Sequence, residues 1–167
     1  RDGSWSGGSR DGGTIGATSF ALLFLSKGRT PVLISKFAWG DDEWNNKHHD
    51  VKHVVEYCSR ELFQNSPLGW QIFDCRRADP NRILRETADL LQSPIVYLNG
   101  HDAPRLTGAQ KEILKKYIEE GGFVLAEACC GSQDFAQGFR NLMRELFEKD
   151  MVPVDPDHPV YRAHAPI

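Results

Sequence analysis

The chain has 167 residues and carries 20 Lys and Arg against 23 Asp and Glu, a net charge of −3. That length is about one domain at roughly 150 residues each, and the slight acidity leaves no basic footprint for a nucleic-acid partner. The longest apolar run, Phe20 to Leu25, falls far short of the ~20 residues a membrane span requires. With 40% hydrophobic and 26% charged residues, the composition is that of a folded globular chain and not of a disordered one. Four cysteines are too few for a disulfide scaffold and suit a reducing compartment.

In chain order, residues 1–13 hold five Gly and three Ser and read as a flexible lead-in. Residues 14–26 then form a predicted helix, apolar nearly all round, that stops at Lys27-Gly28. Val32-Leu33-Ile34 reads as a short buried strand, followed by a loop at Gly40-Asp41-Asp42. Val51, Val54, Val55, Cys58 and Leu62 recur at helical spacing and predict one face of a helix over about residues 47–63. Residues 70–75 read as the second strand.

Asp79-Pro80 supplies a capping carboxylate and a first-turn proline, so a third helix begins there, with Ile83, Leu84, Thr87, Ala88 and Leu91 inward. Ser93-Pro94 breaks it, and Ile95-Val96-Tyr97-Leu98 is the third strand. Thr107 and Gln110 form a capping-box pair opening a helix with Ile113, Leu114, Tyr117 and Ile118 inward, ended by Gly121-Gly122. Phe123-Val124-Leu125-Ala126 is the fourth strand. A last helix from about Asp134 buries Phe135, Phe139, Leu142, Met143, Leu146 and Phe147.

Strands alternating with helices predict parallel pairing, hence an α/β fold with a doubly wound, mostly parallel sheet of the flavodoxin-like type, plus an extra N-terminal helix. Ligands bind such sheets at the carboxyl ends of the strands. That rule selects Asn99, Gly100, His101 and Asp102 after the third strand, and Glu127, Cys130, Gly131 and Gln133 after the fourth. Cys129 stands at the turn from strand to helix, the position of a nucleophile elbow, where a helix N-terminus favours a thiolate. A buried packing role is the alternative for both cysteines. His49 and His53 share a helical spacing, but both lie on the polar side, and no Cys-x-x-Cys or His-Glu-x-x-His is present. No metal site and no cofactor is therefore expected. His101, at a strand end, is placed equally well for acid–base work or for a bond to a loop carbonyl.

Cys129-Cys130-Gly131-Ser132-Gln133 resembles the Cys-x-Gly-x-Gln of class I glutamine amidotransferases. The resemblance implies Cys129 as nucleophile and Gly131 as the residue that permits the turn. His158-Pro159 is similar to that family's His-Pro-Glu and implies His158 as the base. Glu127 stands where those enzymes have a small glycine, and Val160 where the orienting glutamate belongs.

Over a longer span, about residues 31–167, the chain resembles the bacterial family catalogued as domain of unknown function 4159. The matching features are Trp44-Asn45-Asn46, Val96 to His101, Gly121-Gly122-Phe123, Phe139-Arg140, Leu142-Met143 and Asp157-His158-Pro159. That resemblance implies a fold similar to glutamine-amidotransferase-like and trehalose-utilisation-type (ThuA-like) domains. Residues 13–25 resemble the last helix of a squalene-cyclase or prenyltransferase-like α/α toroid.

Residues 1–30 are accordingly expected to be a linker and the final helix of a preceding helical domain, and residues 31–167 an amidotransferase-like domain cut short at its C-terminus. The functional expectation is a ligand-binding or interaction module within a larger bacterial protein. Its partners would be a small molecule or a protein, and the preceding helical domain. The alternative is a cysteine-dependent amidohydrolase or amidotransferase-like enzyme using Cys129 and His158. Nothing in the sequence assigns a compartment.

Overall fold

The structure, a computed structural model, describes residues 13–27, 30–40 and 43–163. The Gly/Ser lead-in up to residue 12, the helix stop at Gly28, the Asp41-Asp42 part of the predicted loop and the last four residues lie outside the described residues. Two compact units divide the chain, Arg1–Pro31 and Val32–Ile167. The first contains helix α1 (Gly13–Lys27). Its consecutive apolar residues 20–25 take it through more than a full turn, so no single side of it is polar.

The second unit is a four-stranded sheet with helices on both faces. Its elements are β1 (Val32–Ala38), α2 (Asp50–Glu61), β2 (Gly69–Asp74), α3 (Ile83–Leu90), β3 (Ile95–Gly100), α4 (Gly108–Glu119), β4 (Phe123–Ala128) and α5 (Gln133–Phe147). Every strand pair is parallel and the order is β2-β1-β3-β4. The chain leaves β1 for β2 on one side and then returns to build β3 and β4 on the other. This is the doubly wound α/β arrangement, and its switch point falls between β1 and β3.

Alternation along the strands sorts the side chains between two faces. Phe37, Val96 and Leu98 point to one face, where they pack with Leu90 of α3, Ile113, Leu114 and Tyr117 of α4, and Phe135 and Phe139 of α5. Ile34 and Tyr97 point to the other, against Val51 and Val55 of α2. The predicted inward faces of α4 and α5 coincide with the buried residues there. In α2 and α3 the burial is narrower than the spacing suggests. Val54 and Leu62 of the first, and Leu84 of the second, are exposed, while Leu90 is fully buried. An α2 that meets the sheet with two valines alone does not need its remaining apolar positions.

Gln110 does more than close the capping box. Its Oε1 accepts the Thr107 N–H at 2.8 Å, and Thr107 Oγ1 accepts the Gln110 N–H at 3.3 Å. The same fully buried side chain donates through Nε2 to the carbonyls of Trp39 at 2.9 Å and Cys75 at 2.8 Å. Those carbonyls lie just past the ends of β1 and β2, so α4 ties the two strands together where their ladder runs out.

Candidate functional site

β1 runs on four residues past the apolar triplet seen in sequence, and this extension puts Lys36 in the centre of the sheet, 2% exposed. A buried ammonium must be paired and hydrogen-bonded to be tolerated. Here Nζ donates to Asp50 Oδ1 at 2.9 Å, to Asp50 Oδ2 at 2.8 Å and to the Lys47 carbonyl at 2.7 Å. Asp50 opens α2, so the pair also fixes where that helix begins. Asn99, at the end of β3, donates through Nδ2 to Asp50 Oδ2 at 3.1 Å. Its Oδ1 is buried and has no hydrogen-bond partner among the described residues.

On the same face, the Tyr97 hydroxyl donates to the Glu127 carboxylate. Burial, and then Glu127 beside it, push the Tyr97 phenol far above its usual range, so it remains a neutral donor. The Lys36 ammonium lies 5.8 Å from the centre of the Tyr97 ring. Lys36, Asp50, Tyr97, Asn99 and Glu127 thus form one polar constellation across β1, α2, β3 and β4.

Above it lie the two loops that follow β3 and β4. Past Ala128 the chain makes a 3-10 turn through Cys129, Cys130 and Gly131. Cys130 has a φ of 56° and Gly131 one of 76°. For a non-glycine residue this left-handed conformation costs about 1–3 kcal/mol. Its effect is to place two neighbouring sulfurs together, 3.7 Å apart, when an extended strand would send them to opposite faces. Cys129 is buried and Cys130 exposed. Burial, and after it the Cys130 thiol, push the Cys129 pKa up.

The β3 loop is held against this turn. Ser132 caps α5 by accepting the Phe135 N–H at 3.3 Å, and its hydroxyl donates to the His101 carbonyl. A Cβ at Gly100 would lie 2.8 Å from the Phe135 ring, and one at Gly138 would lie 2.4 Å from the Ala103 side chain. Only glycine allows α5 to approach the loop this closely. As a result an imidazole nitrogen of His101 and the sulfurs of Cys129 and Cys130 all lie within 4.8 Å of one another.

The sequence-selected residues therefore divide. Asn99 and Gly100 are buried at the end of β3, while Glu127 is exposed at the end of β4. His101, Cys129, Cys130 and Gly131 converge at the rim beside them, and Asp102 is exposed next to His101. Among the described residues the Gln133 amide reaches the Gly131 carbonyl, at 3.5 Å. His158 caps a short 3-10 turn, its Nδ1 accepting the Val160 N–H at 3.2 Å, and among the described residues no hydrogen bond joins it to either thiol. The imidazole at the thiols is that of His101. His49 and His53 are exposed on α2, ring centres 6.0 Å apart.

Lys36, Asp50 and Tyr97 were not selected from the sequence. The available signal was a single lysine within an otherwise uncharged strand, Val-Leu-Ile-Ser-Lys-Phe-Ala, for which a buried partner had to exist. The site combines a buried floor of oxygen and nitrogen groups with a rim of soft sulfur and imidazole donors.

Among the described residues no helix is long and apolar enough to cross a membrane. Comparison with curated proteins and with solved structures finds no match. The model of one family does match, over residues 36–166, which include every residue of the constellation and of the rim. The chain belongs to that family, described as domain of unknown function DUF4159.

Proposed function

We propose that residues 31–167 form a ligand-binding module whose crevice lies over the carboxyl ends of β1, β3 and β4. The observation that carries this reading is Asn99. Its carboxamide oxygen is fully buried, lacks a partner among the described residues, and sits at the switch point beside an ion pair already desolvated. A buried acceptor left open, next to the Glu127 carboxylate, suits a small molecule or protein group bearing N–H donors: an amide, an amine or a guanidinium. In this reading the module belongs to a larger bacterial protein of amidotransferase-like or ThuA-like fold, and α1 is the last helix of a preceding helical domain.

The test is a two-dimensional amide NMR titration of the chain with a panel of small primary amides, amines and guanidinium compounds. Shifts clustering at residues 99–102 and 127–133, and abolished by Asn99→Asp and Glu127→Gln, are the expected result. Shifts scattered over the surface, or no panel member acting at these residues, would overturn it.

A second reading, a cysteine-dependent amidohydrolase or amidotransferase-like enzyme, draws support from the imidazole within 4.8 Å of both sulfurs. In it Cys129 is the nucleophile, and His101 takes the base role that sequence resemblance gives to His158. Burial of Cys129 and the upward push on its pKa weigh toward the binding module.

A further inference from the structure

We infer that His101, Cys129 and Cys130 together form a zinc site with three protein ligands and an open fourth position. The inference rests on reading this crevice as a binding site and names one ligand that it takes. Two thiolates held about 2.3 Å from a tetrahedral zinc stand about 3.8 Å apart. The Cys129 and Cys130 sulfurs are 3.7 Å apart. The His101 nitrogen lies within 4.8 Å of both, against a tetrahedral edge of about 3.5 Å, and its side chain is exposed.

Two further observations point the same way. The left-handed backbone at Cys130 turns its sulfur onto the side of its neighbour's, and the Ser132–His101 bond holds the imidazole loop over that pair. A disulfide does not account for the pairing. All four cysteines are free, and the Cα atoms of adjacent residues, about 3.8 Å apart, are closer than the roughly 4.4–6.8 Å that ordinary disulfides span.

The donor set selects the metal class. Two thiolates and one imidazole suit zinc or another soft ion and disfavour magnesium and calcium, which take oxygen ligands. Three protein ligands leave one position for water or for a group of the bound molecule, as in zinc sites that act on a ligand and unlike closed structural ones. Binding releases the thiol protons to solvent as the two Zn–S bonds form, so no oxidant or reductant takes part.

The test is zinc content by elemental analysis of the full chain purified under reducing conditions, with a parallel titration using cobalt(II). The expected result is one equivalent of zinc per chain, and a cobalt complex showing thiolate charge-transfer absorption with a tetrahedral visible spectrum. Cys130→Ser and His101→Ala, both at exposed positions, should each weaken zinc at least about 100-fold, at the upper end of what even outer-shell changes cost. Circular dichroism verifies that both variants are folded. His49→Ala with His53→Ala should leave binding unchanged.

Absence of metal from the folded, reduced chain would overturn the inference. So would equal binding by Cys130→Ser, loss only in the His49/His53 variant, a Cys129–Cys130 disulfide, or a preference for copper(I) that leaves zinc unbound. The Asn99→Asp chain separates the two proposals. If it still takes zinc while no donor-bearing compound perturbs the crevice of the parent chain, the binding-module reading fails alone. If such compounds bind and zinc does not, the zinc site fails alone.

Discussion

The two faces of the sheet are built to different ends. One is sealed by α3, α4 and α5, and its strand residues Phe37, Val96 and Leu98 have no solvent exposure at all. The other is met by α2 with two valines, and leaves Trp70, Ile72, Phe123 and Leu125 between 38% and 58% exposed. Every strand member of the polar constellation, from Lys36 to Glu127, projects from this second face, and Asp50 meets them from α2. Polar groups at the strand ends are costly in a dry core, so the molecule concentrates its packing on one side and frees the other to carry chemistry.

The largest expected effect tests that division directly. Phe135→Ala, on the sealed face, should cost about 3–5 kcal/mol in urea unfolding, whereas Leu125→Ala on the open face should cost within about 0.5 kcal/mol. Equal costs would erase the distinction. Next comes the buried pair. Lys36→Met should cost about 3 kcal/mol by stranding the Asp50 carboxylate, and adding Asp50→Leu should return only part of it, because replacing both ions can be neutral but the buried Asn99 amide then loses its acceptor. Denaturant midpoints of the single and double variants measure this.

A smaller effect probes how the sealed face supports the rim. Gly100→Ala forces a methyl group to 2.8 Å from Phe135 and should cost about 1–3 kcal/mol in the same assay. The smallest lies at the edge strand, where the Arg76 guanidinium holds Asp74 down at about 2 against an ordinary 3.8. A depressed folded-state pKa contributes stability that is complete above about pH 4 and is lost as pH falls toward 2. Both side chains are about half exposed, so that contribution stays below about 1 kcal/mol. Arg76→Ala should remove that part of the acid dependence in thermal melts recorded between pH 5 and 2.

Much of the fold was legible because local and long-range signals agreed. The Thr107–Gln110 box, the glycine pair ending α4 and the Phe135-to-Leu146 stripe each marked an element whose buried face matched its spacing. The extent of β1 was not legible, since a lysine normally ends an apolar run, and partners 11 and 14 residues on make Lys36 tolerable there. The candidate site was half legible. The strand-end rule selected Asn99, His101 and the cysteines separately, but their convergence depends on Gly100, Gly138 and Ser132 bringing two loops together. No spacing in sequence encodes that approach, so a search for short motifs does not bring together His101 with Cys129 and Cys130, 28 and 29 residues further on.

The Gln110 side chain has a dynamic corollary. Past the last ladder bond, from the Cys75 N–H to the Ala38 carbonyl at 2.9 Å, the Trp39 and Cys75 carbonyls are still clasped by one amide. That amide also occupies the Thr107 N–H. The ends of β1 and β2 therefore cannot part without breaking an Nε2 bond of Gln110, while the Thr107 N–H can stay on Oε1.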